Sequence, residues 1–260
     1  MAISILLYSG LALLALGSVS FARPMAFLGI ATRLHALAVF GTGFVGAAIA
    51  LLLPPPSSRA GARAPARIEE LLREFQFEEF HERFVRASPE RVFEAIRDVP
   101  AADIRLFRLL TWIRSPRLPG TVAPESILNP PANEPILATA LKSGFVLLSE
   151  EKDREIVLGT FALRPRGTRV AVPNDPVETA RRFASLADPG YAKAVMNFRI
   201  EPSDGGCRLT TETRIYATDS ATARAFARYW RAIHPGSALL RHTWLAAIAA
   251  RAEKPRQPPS

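Results

Sequence analysis

Hydrophobic and polar positions along the chain divide it sharply. Residues 2–22 carry no charged side chain, and residues 34–53 carry none apart from the titratable His35. A helix rises about 1.5 Å per residue and the hydrocarbon core of a bilayer is about 30 Å thick, so about 20 apolar residues cross it. Both windows have that length. Arg23, Pro24 and Arg33 punctuate the stretch between them. The pattern predicts a transmembrane helical hairpin over residues 1–53. A cleaved signal peptide is the rival for the first window, with Ser20-Phe21-Ala22 as a small-x-small site. Against it, no lysine or arginine precedes the apolar run, and the run is long for a signal core.

Beyond residue 53 the pattern changes. Pro54-Pro55-Pro56, Ser57, Ser58, Gly61 and Pro65 predict a partly extended linker over 54–67. A domain over 68–254 follows, large enough to bury its own core. It opens with a short polar helix near 68–74 and a strand over about 77–87. Ser88-Pro89-Glu90 reads as a helix start, with serine in the cap, proline at the first position and an acid in the first turn. Val92, Phe93 and Ile96 give that helix its apolar face. Pro100 restarts a second helix along Ile104, Phe107, Leu110 and Trp112 or Ile113. The proline-rich residues 115–131 read as a loop, and Asn133 as the cap of a helix ending before Gly144. Strands are predicted over 145–148 and 156–161, with a further short one at 168–172. Asp175-Pro176-Val177-Glu178 is a capping-box pattern that introduces a helix to about 187. Strands over 191–201 and 207–217 are joined by Ser203-Asp204-Gly205-Gly206, a strong hairpin signal. Residues 220–253 form a long helix whose Phe226, Trp230, Ile233, Leu240, Trp244 and Ile248 recur at spacings of threes and fours, with a kink expected at Pro235-Gly236. A disordered tail is expected over 255–260.

The order strand, two helices, mostly antiparallel strands and a long last helix predicts an α+β fold, a curved antiparallel sheet around a long C-terminal helix. The stretch F-x-x-x-F-V-R-A-S-P-E-R-V-F-E-A-I-R-D, Phe80 to Asp98, resembles the opening of SRPBCC (START/Bet v 1-like) domains, and the aromatic closing helix resembles theirs. The resemblance covers about residues 77–252. It departs from a minimal member at the proline-rich segment 115–143 and at the extra helix near 176–187. It implies a helix-grip fold with a cavity between sheet and last helix, and binding of a lipid, sterol, quinone or other hydrophobic molecule; some members are polyketide cyclases.

Charge changes this picture little. The net charge is +9 and nearly all cations are arginine, lysine occurring only at Lys142, Lys152, Lys193 and Lys254. Scattered arginines reflect a GC-rich coding sequence first and anionic lipid second; no recognition motif accompanies them, so nucleic acid is not expected as a partner. Arg59, Arg63 and Arg67 after the second window outnumber Arg23 and Arg33 in the hairpin loop, which favours a cytoplasmic domain under the positive-inside rule. The single cysteine, Cys207, excludes an internal disulfide framework.

Candidate chemistry is sparse. Gly41-Thr42-Gly43-Phe44-Val45-Gly46 matches G-x-G-x-x-G, but only seven residues separate it from Pro54-Pro55-Pro56, too few for a crossover helix and second strand. Gly43/Ala47 and Gly46/Ala50 instead offer small-xxx-small faces for helix packing, including a homo-oligomer. None of His35, His81, His234 and His242 forms H-x-x-x-H, and no metal or cofactor is expected. There is no G-x-S-x-G. His234, on the closing helix before Pro235, is a weak catalytic candidate as a general acid or base; a plain surface or core histidine is the bland alternative. Glu212 and Arg214 lie two apart on a strand and share a face, expected toward solvent. Phe107, Trp112, Phe145, Phe226, Trp230, Ile233 and Trp244 are the candidate cavity walls. The expected function is membrane-anchored binding of a hydrophobic small molecule; a cyclase- or hydrolase-like enzyme and an interaction module with a filled core are the alternatives.

Overall fold

A computed structural model describes residues 2–61, 66–114, 127, 129–168 and 175–255; the side chains of 112–114 lie outside the description. Residues 169–172 of the predicted strand at 168–172, most of the loop over 115–131, part of the 54–67 linker and the tail after 255 therefore lie outside the described residues. The chain divides into two compact units, residues 1–55 with 224–235 and residues 56–223 with 236–260.

The first unit contains α1 (Ala2–Ala22) and α2 (Arg33–Leu52), both long and apolar enough to cross a bilayer. Thr32 caps α2, its hydroxyl accepting from the His35 N–H. A Cβ on Gly43 would lie 2.6 Å from the Leu14 nitrogen and 2.7 Å from the Gly10 carbonyl oxygen. The two backbones touch there, which only glycine permits. The Gly43/Ala47 face is thus occupied within the chain, while Gly41 faces open space. Gly43→Val is expected to force the helices apart at a cost of about 1–3 kcal/mol. Gly41→Val serves as control. Thermal unfolding of the detergent-solubilised chain by circular dichroism would show a lowered midpoint for the first and none for the second; equal midpoints would contradict the packing.

The second unit is α+β. Its sheet is built from β3 (Phe77–Val85), β4 (Val146–Glu151), β5 (Glu155–Leu163), β6 (Ala192–Ser203) and β7 (Gly206–Ala217), all antiparallel in the order β3-β7-β6-β5-β4. The first strand therefore pairs with the last. Between β3 and β4 run α4 (Pro89–Asp98), α5 (Phe107–Arg114) and α6 (Ile136–Lys142); α7 (Pro176–Ser185) lies between β5 and β6; and α8 (Ser220–Glu253) follows β7.

Strand alternation assigns the two faces. One carries Val85, Ile156, Leu158, Met196, Phe198, Ile200, Cys207 and Leu209. It shares a core with Val92, Phe93 and Ile96 of α4 and with Trp244, Leu245 and Ile248 of α8. The other carries Val157 and Val195, packed with Phe183 of α7 and with Ile68 and Leu72, in and beside α3 (Arg67–Leu71). Buried Lys193 reaches from this face to the carboxyl end of α7, its Nζ donating to the Ala184 carbonyl at 2.8 Å. Burial lowers the Lys193 pKa.

Three local readings are corrected. The helix predicted from Pro100 is split: a 3₁₀ turn spans Ala101–Asp103, Leu106 adopts a left-handed φ of 60°, and α5 starts at Phe107. The reversal buries both Ile104 and Phe107. Asn133 does not cap α6. Pro135 precedes its first residue and is bridged to Pro100, while the Ile136 N–H bonds the Val99 carbonyl. The partly extended linker, whose prolines argue against regular structure, does contain a strand: β1 (Arg59–Ala60) pairs antiparallel with β2 (Glu74–Phe75), and Arg59 bonds Glu78 at 2.6 Å.

The long helix keeps its predicted bounds and stays helical through Pro235. Asp219 caps it, accepting from Ala221 N, Thr222 N and the Thr222 hydroxyl; these bonds and one from Gly190 N hold its carboxyl at about 2. Residues 224–235 belong to the hairpin unit and the remainder to the sheet unit.

Candidate functional site

The seven wall candidates fall in both units. Trp244 lies in the core between sheet and helix, 2 % exposed, its ring 5.0 Å from Phe198 and edge-on to it. The Arg241 guanidinium sits 5.3 Å from the Trp244 ring centroid. The indole Nε1 is buried and has no hydrogen-bond partner among the described residues. Phe107 is buried in the same core and also lines a cleft of about 270 Å³ with Ala101, Arg108, Thr111, Asn129 and Pro130. Phe145 is half-buried against that core. Trp112 falls within α5, its side chain outside the described residues. Phe226, Trp230 and Ile233 belong to the hairpin unit, and so does His234. There the Trp230 ring stacks on Phe226 at 5.8 Å and meets His234 edge-on at 5.2 Å.

The core face also holds a polar cluster that escaped the sequence reading. Glu79 and His81 are two apart on β3 and so share the face that packs on α8. Glu79 is 5 % exposed. One carboxylate oxygen lies 2.9 Å from His81 Nε2, and the other accepts from the Ser237 hydroxyl at 2.9 Å. The His242 ring stands edge-on to His81, centroids 6.4 Å apart. Burial pushes the Glu79 carboxyl up, but the bond from His81, the charge of Arg241 and the Ser237 hydroxyl together outweigh it and lower its pKa. The signal was available: E-E-F-H places Glu79 and His81 at strand spacing, and Ser237 and Arg241 one helical turn apart.

A folded-state pKa below the unfolded value stabilises the fold above the unfolded pKa. That contribution is lost as pH falls through the folded one. Unfolding midpoints measured down the acid range are expected to fall less steeply for Glu79→Gln than for the unchanged chain. Parallel curves would show that Glu79 does not hold its charge in the folded state.

The opposite face contradicts the solvent expectation for Glu212 and Arg214. Both are buried, at 5 % and 1 % exposure. Arg214 Nε donates to Glu212 at 2.5 Å and its Nη2 to Glu69 of α3 at 2.5 Å, while Nη1 reaches the Leu72 carbonyl at 3.3 Å. Asn197 donates to Glu155 at 2.7 Å and accepts from the Glu212 N–H at 2.8 Å; Glu155 also accepts from the Arg67 N–H. Burial opposes the Arg214 charge, yet the bonds to Glu69 and Glu212 prevail and raise its pKa. The cause of burial is α3, which lies over this face. Beside the network a polar groove of about 340 Å³ is lined by Phe80, Asn197, Arg199, Arg208 and Glu212.

No protein-family model and no curated protein matches the chain.

Proposed function

We propose that the chain is a membrane-anchored domain of the helix-grip (START/Bet v 1-like) kind that binds a hydrophobic small molecule, lipid- or quinone-like, between its sheet and α8. The observation that carries this reading is the polar cluster of Glu79, His81 and Ser237 beside the apolar core that sheet and α8 share. Aromatic and aliphatic side chains supply burial at about 25 cal/mol per Å², and a few convergent polar groups fix a ligand's polar end. Pairing of the first strand with the last, and a long closing helix, support the same family reading. The two apolar helices span the bilayer as a hairpin, and the arginines after α2 favour a cytoplasmic domain.

The test is native mass spectrometry with organic extraction on the full chain from a bacterial host. A retained stoichiometric hydrophobic molecule, lost on Phe198→Ala or Trp244→Ala, supports the reading. A clean apo mass, with no uptake from a lipid and quinone panel, overturns it and favours an interaction module with a filled core.

A second reading, an enzyme acting on a hydrophobic substrate, is favoured by the Glu79–His81 pair. A buried carboxylate bonded to one ring nitrogen orients an imidazole and strengthens it as a base. His81→Gln that abolishes turnover of an identified ligand while leaving its binding intact would decide for it; unchanged turnover would remove it.

A further inference from the structure

The middle of α8 groups with the hairpin, and its residues explain why. Arg231, 5 % exposed, donates to the Leu51 carbonyl at 3.3 Å and to the Leu53 and Pro54 carbonyls at 2.8 Å each. The first is among the last carbonyls of α2, which lack partners within their own helix, and the other two follow directly after the helix end. A cation at a helix carboxyl end also complements its dipole. The Tyr8 hydroxyl of α1 donates to the Ala232 carbonyl at 2.5 Å. Residues 224–235 are thus fastened to both helices at the end of the hairpin where α2 finishes.

If α2 spans the bilayer, its carboxyl end marks the level at which the chain leaves hydrocarbon. The segment bonded there lies at headgroup depth. Its composition suits that depth: Tyr229 and Trp230 among Arg224, Arg228 and Arg231, the mixture of aromatic and cationic side chains found at membrane interfaces. Arg224, Ala225, Arg228, Tyr229 and Ala232 are exposed, and helical periodicity puts them on one side. Among the described residues, neither Arg224 nor Arg228 pairs with a carboxylate. The helix carries no acidic residue before Glu253.

We infer that residues 224–235 form an interfacial segment in which Arg224 and Arg228 bind the headgroup phosphates of anionic phospholipids. The inference rests on the reading of α1 and α2 as membrane spans and is independent of any ligand in the sheet unit. An arginine near a negatively charged surface favours partition by about fivefold.

The test uses the full chain reconstituted in nanodiscs of mixed phosphatidylcholine and phosphatidylglycerol, with the lipids retained by the protein counted by native mass spectrometry. Phosphatidylglycerol is expected to be enriched over its bulk share. The enrichment should fall severalfold in Arg224→Gln/Arg228→Gln and stay in the charge-matched Arg105→Gln/Arg181→Gln. No enrichment, or an equal fall in both variants, overturns the inference. Alkaline carbonate extraction of the same protein from vesicles tests the anchor separately: release into the supernatant would overturn the membrane reading itself. Retention without phosphatidylglycerol enrichment overturns only the headgroup site.

Discussion

Arg214→Met is expected to destabilise the sheet unit by about 3–5 kcal/mol, measured by chemical denaturation of the solubilised full chain. The substitution keeps an unbranched stem of similar length but removes a group that bonds both Glu212 and Glu69. Glu212, with a side chain 7 % exposed, is then a buried carboxylate that has lost its bond to the Arg214 guanidinium. Two buried charges cost several kcal/mol each to desolvate, and their attraction returns that only while both are present. Replacing Glu69 and Glu212 by glutamine together with Arg214→Met should therefore recover much of the loss. Hydrogen exchange should report the damage first in residues 66–75, because Glu69 and the Leu72 carbonyl lose their anchor there. A loss below about 1 kcal/mol would place the pair in the class of exposed ion pairs and contradict its burial.

The second large effect belongs to Trp244→Ala, expected to cost about 3–5 kcal/mol as the transfer term and the cavity term add. Its ring meets Phe198 edge-on, and Leu245 and Ile248 beside it are buried. Trp244→Phe should cost far less, since it keeps an aromatic ring against Phe198 and deletes a buried N–H that has no partner among the described residues. A near-neutral Trp244→Ala would mean that the indole borders open space and not a packed interior. The pair of variants separates an aromatic wall from an aromatic plug.

Local signals in the chain carried most of the elements. Uncharged windows marked α1 and α2. Ser88-Pro89 marked the start of α4, and Asp204-Gly205 the β6–β7 turn. Asp175 caps α7 as its sequence context suggests. These signals work because capping, turn geometry and periodicity act within a few residues of the chain. What stayed hidden depends on partners far away. Glu212 and Arg214 at strand spacing say only that they share a face; their cover, Glu69 and Leu72, lies more than 140 residues earlier. The reversal at Leu106 puts a non-glycine residue in left-handed backbone, for which no residue type signals. Among the candidate wall residues, Trp244 and Phe107 are buried in the core of the sheet unit, while His81 carried no signal comparable to that of His234. A histidine before a proline in a helix draws notice. One in a polar-looking strand does not, although β3 buries the side of Glu79 that a sequence reading would give to water.

The division of α8 has a consequence for taking the molecule apart. A cut in the linker looks like a natural way to free a soluble domain from its anchor, since Pro54-Pro55-Pro56 advertises a seam. Yet residues 224–235 take their partners from residues 1–55, through Tyr8 and the carbonyls that Arg231 holds. A fragment that starts after the seam retains that stretch and loses what it grips, leaving Arg231 without those carbonyls in the middle of its longest helix. The hairpin is therefore no detachable tag. It is one half of a joint whose other half is encoded 177 to 180 residues further along the chain.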